Sequence, residues 1–296
     1  MDNRRTQTEI DSQRESTKYS PMVTVITPVL DGVEYLTPCI ESVLNQSYPH
    51  IEQVFIDGGS TDGTVDILSS YSIKYPDRVR YVSEPDAGPW DAVNKGIRMA
   101  KGEIFGVLGS DDMYEPDVIQ TVVEFFRANP YEYVVFGDCN YIDEKGEVMG
   151  RSRATDFNLK KMINDKMYII GTSIFYKREV CEKIGLFTAL ACDFDFLIRA
   201  GKVFQIHRIA KVLSNFRAGK KWVISGSGFE GMKLGIRDSC SVSRRHGGSI
   251  FSGYCRLYYA WIIIDLLRPI LHPIYPFIGM VLEIKRYKTI SSGLDR

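Results

Sequence analysis

Residues 102–116 read GEIFGVLGSDDMYEP. The apolar run from Ile104 to Leu108, bracketed by glycines, predicts a short buried strand. Two adjacent carboxylates, Asp111 and Asp112, follow this strand at once, and like charges so close resist burial unless a cation neutralises them. Hard divalent ions such as Mg²⁺ and Mn²⁺ take one or two protein carboxylates together with phosphate oxygens. The stretch therefore indicates either a metal-phosphate site or a solvated acidic turn that caps the next helix.

Length and composition limit the kind of protein. The chain has 296 residues, of which 44% are hydrophobic, enough for one large domain with an appendage. Its formal net charge is zero, so no overall positive field draws it to nucleic acid, and we expect no such partner. Six cysteines stand without a Cys-x-x-Cys pair, which argues against a zinc site or a disulfide framework and fits a reducing cytosol. Residues 1–20 are polar and lack the apolar core of a signal peptide, and we predict a disordered lead there.

The first half of the chain alternates two kinds of apolar pattern. Strands are predicted at 23–26, 52–56, 79–82 and 104–108, and helices at 35–44, 64–75 and 91–100. This alternation predicts right-handed crossovers and a parallel sheet. Ligands of such sheets bind beyond the carboxyl ends of the strands. We therefore expect the polar loops at 27–32, 57–64, 84–91 and 109–112 to meet at one edge.

The second half is predicted to complete the sheet. Two paired strands at 133–136 and 139–142 are expected around a Gly137-Asp138 turn, followed by a strand at 172–176 and a helix at 178–184. A further helix, predicted from 191 to 199, carries Asp193 and Asp195. These two carboxylates stand two residues apart and so cannot point the same way.

Each polar loop also has a purely conformational explanation. Asp, Gly and Ser at 57–64 and 84–91 are ordinary turn residues, and an Asp after a strand can cap the next helix. Four such loops at one sheet edge, the last with paired carboxylates, instead favour a site for a nucleoside diphosphate and a cation. The site is neither a P-loop nor a dinucleotide fingerprint, because the glycine patterns of both are missing.

Several ordered motifs point to a known family. The chain carries TPV at 27–29, SVLNQSYP at 42–49, DGGSTDGT at 57–64, DAVNKG at 91–96 and GSDD at 109–112. Together they resemble the family 2 glycosyltransferases that build bacterial cell-surface polysaccharides, over residues 22–217, and GSDD looks like that family's degenerate Asp-x-Asp motif. The resemblance implies an α/β protein of the GT-A fold: a mostly parallel central sheet flanked by helices, with a C-terminal helical extension.

The resemblance also implies roles for individual residues. Pro28 and Asp57 would lie against the nucleotide base, Asp111 would face the ribose, and Asp112 would ligate Mn²⁺ or Mg²⁺ at the diphosphate. The sugar-phosphate side would be lined by Asp91, Asn94 and Lys95. The other donor-binding residues implied are Thr27, Val29, Asp31, Gly58 and Ser110. A UDP-sugar is the expected donor because a carboxylate at Asp57 suits the N3–H of uracil, while TDP and GDP stay open.

The general base implied by the resemblance is Asp193, in an inverting transfer to an acceptor hydroxyl. On the residues alone, Asp193 is more simply a carboxylate at a helix N-terminus, stabilised there by ~0.3–1 kcal/mol. Two positions depart from the family. Cys192 precedes the base where relatives usually carry an acidic residue, and Gly171-Thr172 stands where they often carry His-Gln. The second departure puts the acceptor contact there in doubt.

The C-terminal segment is apolar but interrupted. Residues 257–267 read LYYAWIIIDLL, and residues 269–282 hold three prolines and no Asp, Glu, Lys or Arg. Neither run reaches the ~20 apolar residues of a spanning helix. Aromatic residues beside arginines and lysines favour helices that lie in a membrane interface, and packing on the catalytic domain or on a second subunit of a homo-oligomer is the alternative. Residues 218–228 resemble a flexible loop that closes over the donor, with Lys220 or Lys221 near the phosphates, or else form a solvated basic loop.

These expectations divide the chain into the lead at 1–20, a GT-A catalytic domain at 21–228 and a helical segment at 229–296 that contacts the membrane. The expected acceptor is a glycan or a lipid-linked sugar, and the expected location is the cytoplasmic face of the membrane. Two rival functions are alternatives to this one. A sugar nucleotidyltransferase would carry a basic glycine-rich loop where this chain has TPVLD at 27–31, and an inactive scaffold partner of another transferase would be expected to have lost Asp112 or Asp193.

Overall fold

The computed structural model describes residues 20–165, 167, 169–188, 192–218 and 229–266. Three predictions lie almost wholly outside these residues: the disordered lead at 1–20, the donor-covering loop at 218–228, and the interfacial character of the apolar run at 269–282.

The first half of the chain forms parallel α/β layers. Its strands are β1 (Val23–Val29), β2 (Ile51–Asp57), β3 (Val79–Ser83) and β4 (Ile104–Val107), and its helices are α1 (Leu36–Leu44), α2 (Thr64–Lys74) and α3 (Pro89–Met99). The strands lie in the order β3-β2-β1-β4, and all of these neighbours are parallel. The parallel sheet predicted for this half is confirmed, with strand and helix ends within a few residues of those expected.

The central strands of this half are buried on both faces. Every residue of β2 is buried, because strands lie on both sides of it and helices cover both faces. Two of its polar side chains make hydrogen bonds inside the sheet: Glu52 Oε1 accepts from Thr24 Oγ1 at 2.7 Å, and Gln53 Nε2 donates to Thr27 Oγ1 at 3.0 Å. Helix α3 approaches β1 so closely that a Cβ at Gly96 would overlap the side chain of Ile26.

The second half extends the sheet with mixed pairing. It contains β5 (Met113–Tyr114), α4 (Val118–Ala128), β6 (Val134–Ile142), β7 (Val148–Ser152), α5 (Leu159–Asn164), β8 (Ile174–Lys177), α6 (Arg178–Ile184), α7 (Cys192–Gly201) and β9 (Ile206–Arg217). The strand order continues from β4 as β8-β6-β9-β5, with β7 paired to β6. Only β6 and β9 are parallel in this half. The predicted strand at 172–176 begins as a 3₁₀ turn, Gly171–Ser173, before β8.

One prediction in this half is wrong. The two strands predicted at 133–136 and 139–142 are one strand, β6 (Val134–Ile142), and Gly137 and Asp138 lie within it. The register with β9 shifts at both residues, so the glycine marks an irregularity in a strand and not a turn. A Cβ at Gly137 would overlap Leu213 of β9, and the buried Asp138 carboxylate accepts from Arg208 Nη2 at 2.9 Å and from the Ala154 N–H at 3.0 Å. The antiparallel partner that follows β6 is β7.

Two helices close the described chain, α8 (Phe229–Arg245) and α9 (Gly253–Leu266). They pack against each other, and α8 also packs against α7. Val242 of α8 joins the same core cluster as Phe196 and Leu197 of α7, so α8 shares a hydrophobic core with the second half of the sheet. Among the helices that the structure describes, none has the length and apolar character needed to cross a membrane.

Candidate active site

The polar loops after β1 and β2 are joined to each other at the carboxyl edge of the sheet. Asp31, in a left-handed conformation with φ +46°, donates its N–H to Ser60 Oγ at 2.7 Å and accepts from the Thr61 N–H at 2.9 Å. The Val33 N–H donates to Asp62 Oδ2 at 3.0 Å. Asp31 thus connects two of the four predicted loops, which meet as the topology requires.

Asp57 ends β2 and is fully buried. Its carboxylate accepts hydrogen bonds from the N–H groups of Gly59 at 3.2 Å and Ser60 at 3.1 Å, from Ser83 Oγ at 2.6 Å, and from the Ser60 hydroxyl. The carboxylate therefore orders its own loop in this structure. Gly58 next to it lies within reach of Asp86, whose Oδ2 would be 3.0 Å from a Cβ at that position.

Two of the implied donor-binding side chains serve the interior. Thr27 is fully buried, and its hydroxyl accepts from Gln53 inside the sheet. Asn94 on α3 pairs with the backbone of Phe187 in both directions: its Nδ2 donates to the carbonyl at 2.9 Å and its Oδ1 accepts from the N–H at 3.0 Å. Pro28 and Val29, the last two residues of β1, follow Thr27 directly. Asn94 thereby fixes the loop before α7 to the first half of the chain.

Lys95 and Asp91 lie together at the start of α3. Lys95 Nζ is 2.8 Å from Glu84 Oε1 and 3.8 Å from Asp91 Oδ2, and it donates to the Pro85 carbonyl at 2.9 Å. Asp91 Oδ2 also accepts from the Ala87 N–H at 3.2 Å. The carboxylates of Glu84 and Asp91 raise the pKa of Lys95, so its side chain stays a charged ammonium group beside the 84–91 loop.

The Asp111 and Asp112 carboxylates converge beside Gly109. A Cβ at Gly109 would lie 2.7 Å from Asp112 Oδ2 and 3.0 Å from Asp111 Oδ1, so both oxygens point at the same small space next to the glycine. Asp112 is only 3% exposed. Burial and the Asp111 charge raise its pKa well above the ordinary value, and burial raises that of Asp111. A cation beside them would relieve the repulsion between the two carboxylates.

These two carboxylates fit a divalent ion that takes the rest of its ligands from substrate. Within the described residues, no three His, Cys, Asp or Glu side chains are grouped as a metal site. A pair of carboxylates completed by phosphate oxygens and water is the arrangement that Mg²⁺ prefers. Ser110 lies next to them in the same turn, with Ser110 Oγ 3.2 Å from the position of a Cβ at Gly32.

Arg217, at the end of β9, is a part of the site that sequence reasoning missed. Its backbone N–H donates to Asp112 Oδ1 at 2.9 Å, and its Nε donates to the Asp111 carbonyl at 2.9 Å. The guanidinium also lies 4.2 Å from the ring centroid of Tyr35, in the loop before α1. The only signal in the sequence was a basic residue at the end of a strand, which does not reveal a contact over a hundred residues away.

Asp193 lies in the first turn of α7, and its carboxylate packs on the Gly171 backbone. A Cβ at Gly171 would overlap that carboxylate, so the residue that departs from the family is also the one that makes room for the predicted base. The pocket here is lined by Val107, Gly171, Ile174, Tyr176, Phe187, Asp193 and Phe196. The hydroxyl of Tyr176 is buried on its wall and has no hydrogen-bond partner among the described residues.

The two predicted centres adjoin at one strand. Val107 is the last residue of β4 and lines the Asp193 pocket, and the turn that carries Asp111 and Asp112 follows it directly. Asp195 faces elsewhere, as its spacing from Asp193 predicts: it is buried against Arg199 and His246. The site thus has one carboxylate in an aromatic pocket and two more at the adjoining end of β4.

Comparison with known families identifies the class of protein. The model of the family named Glycosyl transferase family 2 matches residues 24–185, which is more than half of the chain. The chain therefore belongs to glycosyltransferase family 2, and it is a transferase enzyme. The predicted family is confirmed, and neither rival function is supported.

Relatives share part of the chain. Chondroitin synthase of Escherichia coli is 28% identical over 200 residues, which cover 67% of this chain and 29% of that protein. The PGL/p-HBAD biosynthesis glycosyltransferase of Mycobacterium bovis is 31% identical over 184 residues, covering 61% of this chain and 70% of the relative. The chain thus spans less than a third of the first relative's length.

Solved structures show the same fold at low identity. The mannosyltransferase PcManGT of Pyrobaculum calidifontis, in complex with GDP-Man and Mn²⁺, superposes with a TM-score of 0.59 at 19% identity, over 77% of this chain and 65% of that one. Residues 1–349 of Staphylococcus aureus TarS, in complex with UDP-GlcNAc, superpose with a TM-score of 0.57 at 17% identity, over 76% and 71%. The predicted GT-A fold is confirmed.

Proposed function

We propose that this protein transfers a sugar from a nucleotide-diphosphate donor to an acceptor hydroxyl, with inversion at the anomeric carbon. The observation that carries the proposal is the end of β4, where Val107 lines the Asp193 pocket and the Asp111–Asp112 pair begins four residues later. The pocket of the proposed base and the proposed diphosphate site are therefore both reached from the carboxyl end of β4.

The donor side rests on the converging carboxylates of Asp111 and Asp112. The pair would hold a divalent cation, Mn²⁺ or Mg²⁺, whose charge would neutralise the negative charge that develops on the leaving diphosphate. Asp112 would hold that ion, and Arg217 holds Asp112 in place through its backbone N–H. The complexes of structural neighbours with GDP-Man and Mn²⁺ and with UDP-GlcNAc support a nucleotide-sugar donor. We favour UDP, with the base near Pro28 and Asp57.

The acceptor side rests on Asp193. An acceptor hydroxyl in the pocket would give its proton to the Asp193 carboxylate while its oxygen attacks the anomeric carbon on the face opposite the departing nucleotide. Attack from that face inverts the configuration, and a general base placed this way is worth ~10²–10⁴-fold in rate. The aromatic side chains of Tyr176, Phe187 and Phe196 line the same pocket as the carboxylate.

A membrane location is supported by the outer surface of the C-terminal helices. We name as the apolar tip five exposed side chains: Ile250, Phe251, Tyr259, Ile262 and Ile263. The exposed arginines at 244, 245 and 256 lie in the same two helices and their connection. Apolar groups interspersed with arginine suit the surface of an anionic bilayer. We propose peripheral contact with the cytoplasmic face there, and a lipid-linked sugar or growing polysaccharide as acceptor.

The test measures release of nucleoside diphosphate from UDP-GlcNAc, UDP-glucose, GDP-mannose and TDP-rhamnose in the presence of Mn²⁺. The parent is expected to turn over one of them, with water or added glycan as acceptor. Asp193→Asn should lower kcat by ~10²-fold or more while nucleotide binding stays intact. Full activity of Asp193→Asn with every donor would contradict the assignment of the base.

A further inference from the structure

The two residues that follow Asp193 along the chain are both held by the C-terminal helices. The Phe194 ring packs on the Tyr254 ring of α9 with centroids 4.8 Å apart. Asp195, 2% exposed, binds His246, with Asp195 Oδ1 and His246 Nε2 2.9 Å apart. His246 lies in the connection between α8 and α9. The first turn of α7, which carries the base, is therefore held by contacts with the α8–α9 segment, and both α7 and that segment follow the region matched by the family model.

Asp195 also fixes the wall of the base pocket. Its Oδ2 accepts from Arg199 Nε at 2.7 Å and from Thr188 Oγ1 at 3.1 Å. Arg199 in turn donates to the carbonyls of Ile184 at 2.7 Å and Leu186 at 2.9 Å. These contacts hold the 184–188 loop, which contributes Phe187 to the pocket. The Asp195 carboxylate thus connects α7, the 184–188 loop and His246.

The end of α8 and the α8–α9 connection are themselves hydrogen-bonded to α5, so they form a fixed support for α7. Ser243 Oγ donates to the Ile163 carbonyl at 2.7 Å, and the Ser249 N–H donates to Asn164 Oδ1 at 2.9 Å. His246 Nδ1 lies 2.9 Å from Lys202 Nζ, just beyond the end of α7. The His246 ring therefore contacts Asp195 in the first turn of α7 and Lys202 just after its last residue. These two contacts constrain both ends of the helix.

We infer that His246 and Tyr254 are positioning residues for the Asp193 base. Proton transfer depends on the base lying within hydrogen-bond reach of the acceptor hydroxyl, and a displacement near 1 Å is worth ~10²-fold in rate. His246 acts through Asp195 and Tyr254 through Phe194, so neither needs to touch substrate. The C-terminal helices then have a part in the reaction besides any contact with a membrane. This inference rests on the proposed function, in particular on Asp193 as base.

The test compares His246→Leu, His246→Gln and Tyr254→Leu with the parent. The readouts are kcat and KM for nucleoside diphosphate release from the donor that the parent turns over, the Kd of the free nucleotide, and Tm. His246→Leu and Tyr254→Leu are expected to lower kcat by at least ~10-fold with donor KM and nucleotide Kd unchanged. His246→Gln places an amide N–H near the position of Nε2 and is expected to restore most of the kcat.

His207→Leu is the matched control. His207 also lies beside a carboxylate, with its Nε2 2.7 Å from Glu132 Oε2, but it belongs to β9 and its ring packs against Phe125 of α4. Its kcat should equal that of the parent even if its Tm falls as far as that of His246→Leu. Two results would overturn the inference and leave the proposed function standing. One is a parental kcat in both His246→Leu and Tyr254→Leu. The other is an equal loss of kcat in His246→Leu, His246→Gln and the control. A parent that releases nucleotide from none of the donors would instead overturn the proposed function, and this inference with it.

Discussion

The backbone N–H of Arg217 lies 2.9 Å from Asp112 Oδ1, and its Nε lies 2.9 Å from the carbonyl oxygen of Asp111. The last residue of β9 thereby contacts both members of the carboxylate pair that follows β4. Its guanidinium also donates to the Asp143 carbonyl and covers the Tyr35 ring. Arg217 thereby connects three segments with the 109–112 turn: β9 itself, the loop at Asp143 and the loop at Tyr35.

Arg217 is therefore expected to hold the donor site in shape. Arg217→Lys retains the charge and the backbone bond to Asp112, but it loses the planar fork that reaches Asp111, Asp143 and Tyr35 together. We expect a loss of about 1–3 kcal/mol in unfolding free energy and weaker Mn²⁺-dependent nucleotide binding. Calorimetry and urea unfolding check this. Tyr35→Phe keeps the ring and is the control; unchanged binding in Arg217→Lys would refute the assigned role.

The contact between Gly171 and Asp193 predicts the effect of one methyl group. Gly171→Ala places a Cβ where the carboxylate now lies, so the base must move. We expect kcat for nucleotide release to fall by ~10²-fold while nucleotide affinity is retained. Gly235→Ala is the matched control, because a Cβ at that helical position meets nothing within 4 Å. It is expected to be neutral or stabilising by up to ~1 kcal/mol. Equal kcat in both alanine variants would contradict the packing described.

Asp195 makes stability depend on pH. Burial alone would raise the pKa of Asp195, but hydrogen bonds from His246, Arg199 and Thr188 outweigh it and lower the pKa. A carboxyl with a lowered folded-state pKa stabilises the fold above its ordinary pKa of about 3.9. That stabilisation disappears as the pH falls through the folded-state value. Asp195→Asn should therefore have a lower Tm than the parent at pH 7, and the gap should narrow below pH ~4. Two Tm curves that stay parallel from pH 7 to pH 3 would contradict this.

The apolar tip predicts binding to anionic vesicles. Phe251 is 70% exposed and Ile263 56%, and burying both in a bilayer surface is worth ~1.5–3 kcal/mol for each side chain if burial is complete. Phe251→Ser combined with Ile263→Ser should lower sedimentation with phosphatidylglycerol vesicles by at least ~10-fold. Ile73→Ser, at a 79% exposed position on α2, is the control. Equal sedimentation of the parent and the double variant would reject the tip as the contact.

The parallel half of the fold could be predicted from the sequence because its signals are local. Strand, turn and helix follow one another within about 30 residues, and strands such as 51–57 are buried on both faces. The strand β6 could not be predicted, since Gly137 and Asp138 imitate a turn. Their place in a strand depends on Leu213 and Arg208, some seventy residues later.

The candidate site shows the same difference between local signals, which the sequence reveals, and long-range contacts, which it does not. The positions of Asp111, Asp112 and Asp193 could be predicted from the sequence: the first two follow β4 and the third lies in the first turn of α7. Their roles came from the family resemblance and stay predictions. Sequence order could not show that the side chains of Thr27 and Asn94 are engaged in the interior, because each partner is defined by the fold. The same reason hid Arg217 and His246.

Metal-dependent nucleotide binding tests the central claim most directly. Calorimetry would titrate UDP, TDP and GDP into the parent and into Asp112→Asn, with and without Mn²⁺. The variant keeps the size of the side chain and an oxygen for the Arg217 N–H, so its fold is expected to survive. We predict that one nucleotide binds the parent, at least ~10-fold more tightly with Mn²⁺ than without, and that Asp112→Asn abolishes the metal effect. Failure of all three nucleotides to bind the folded parent at millimolar concentration with Mn²⁺ would contradict the account.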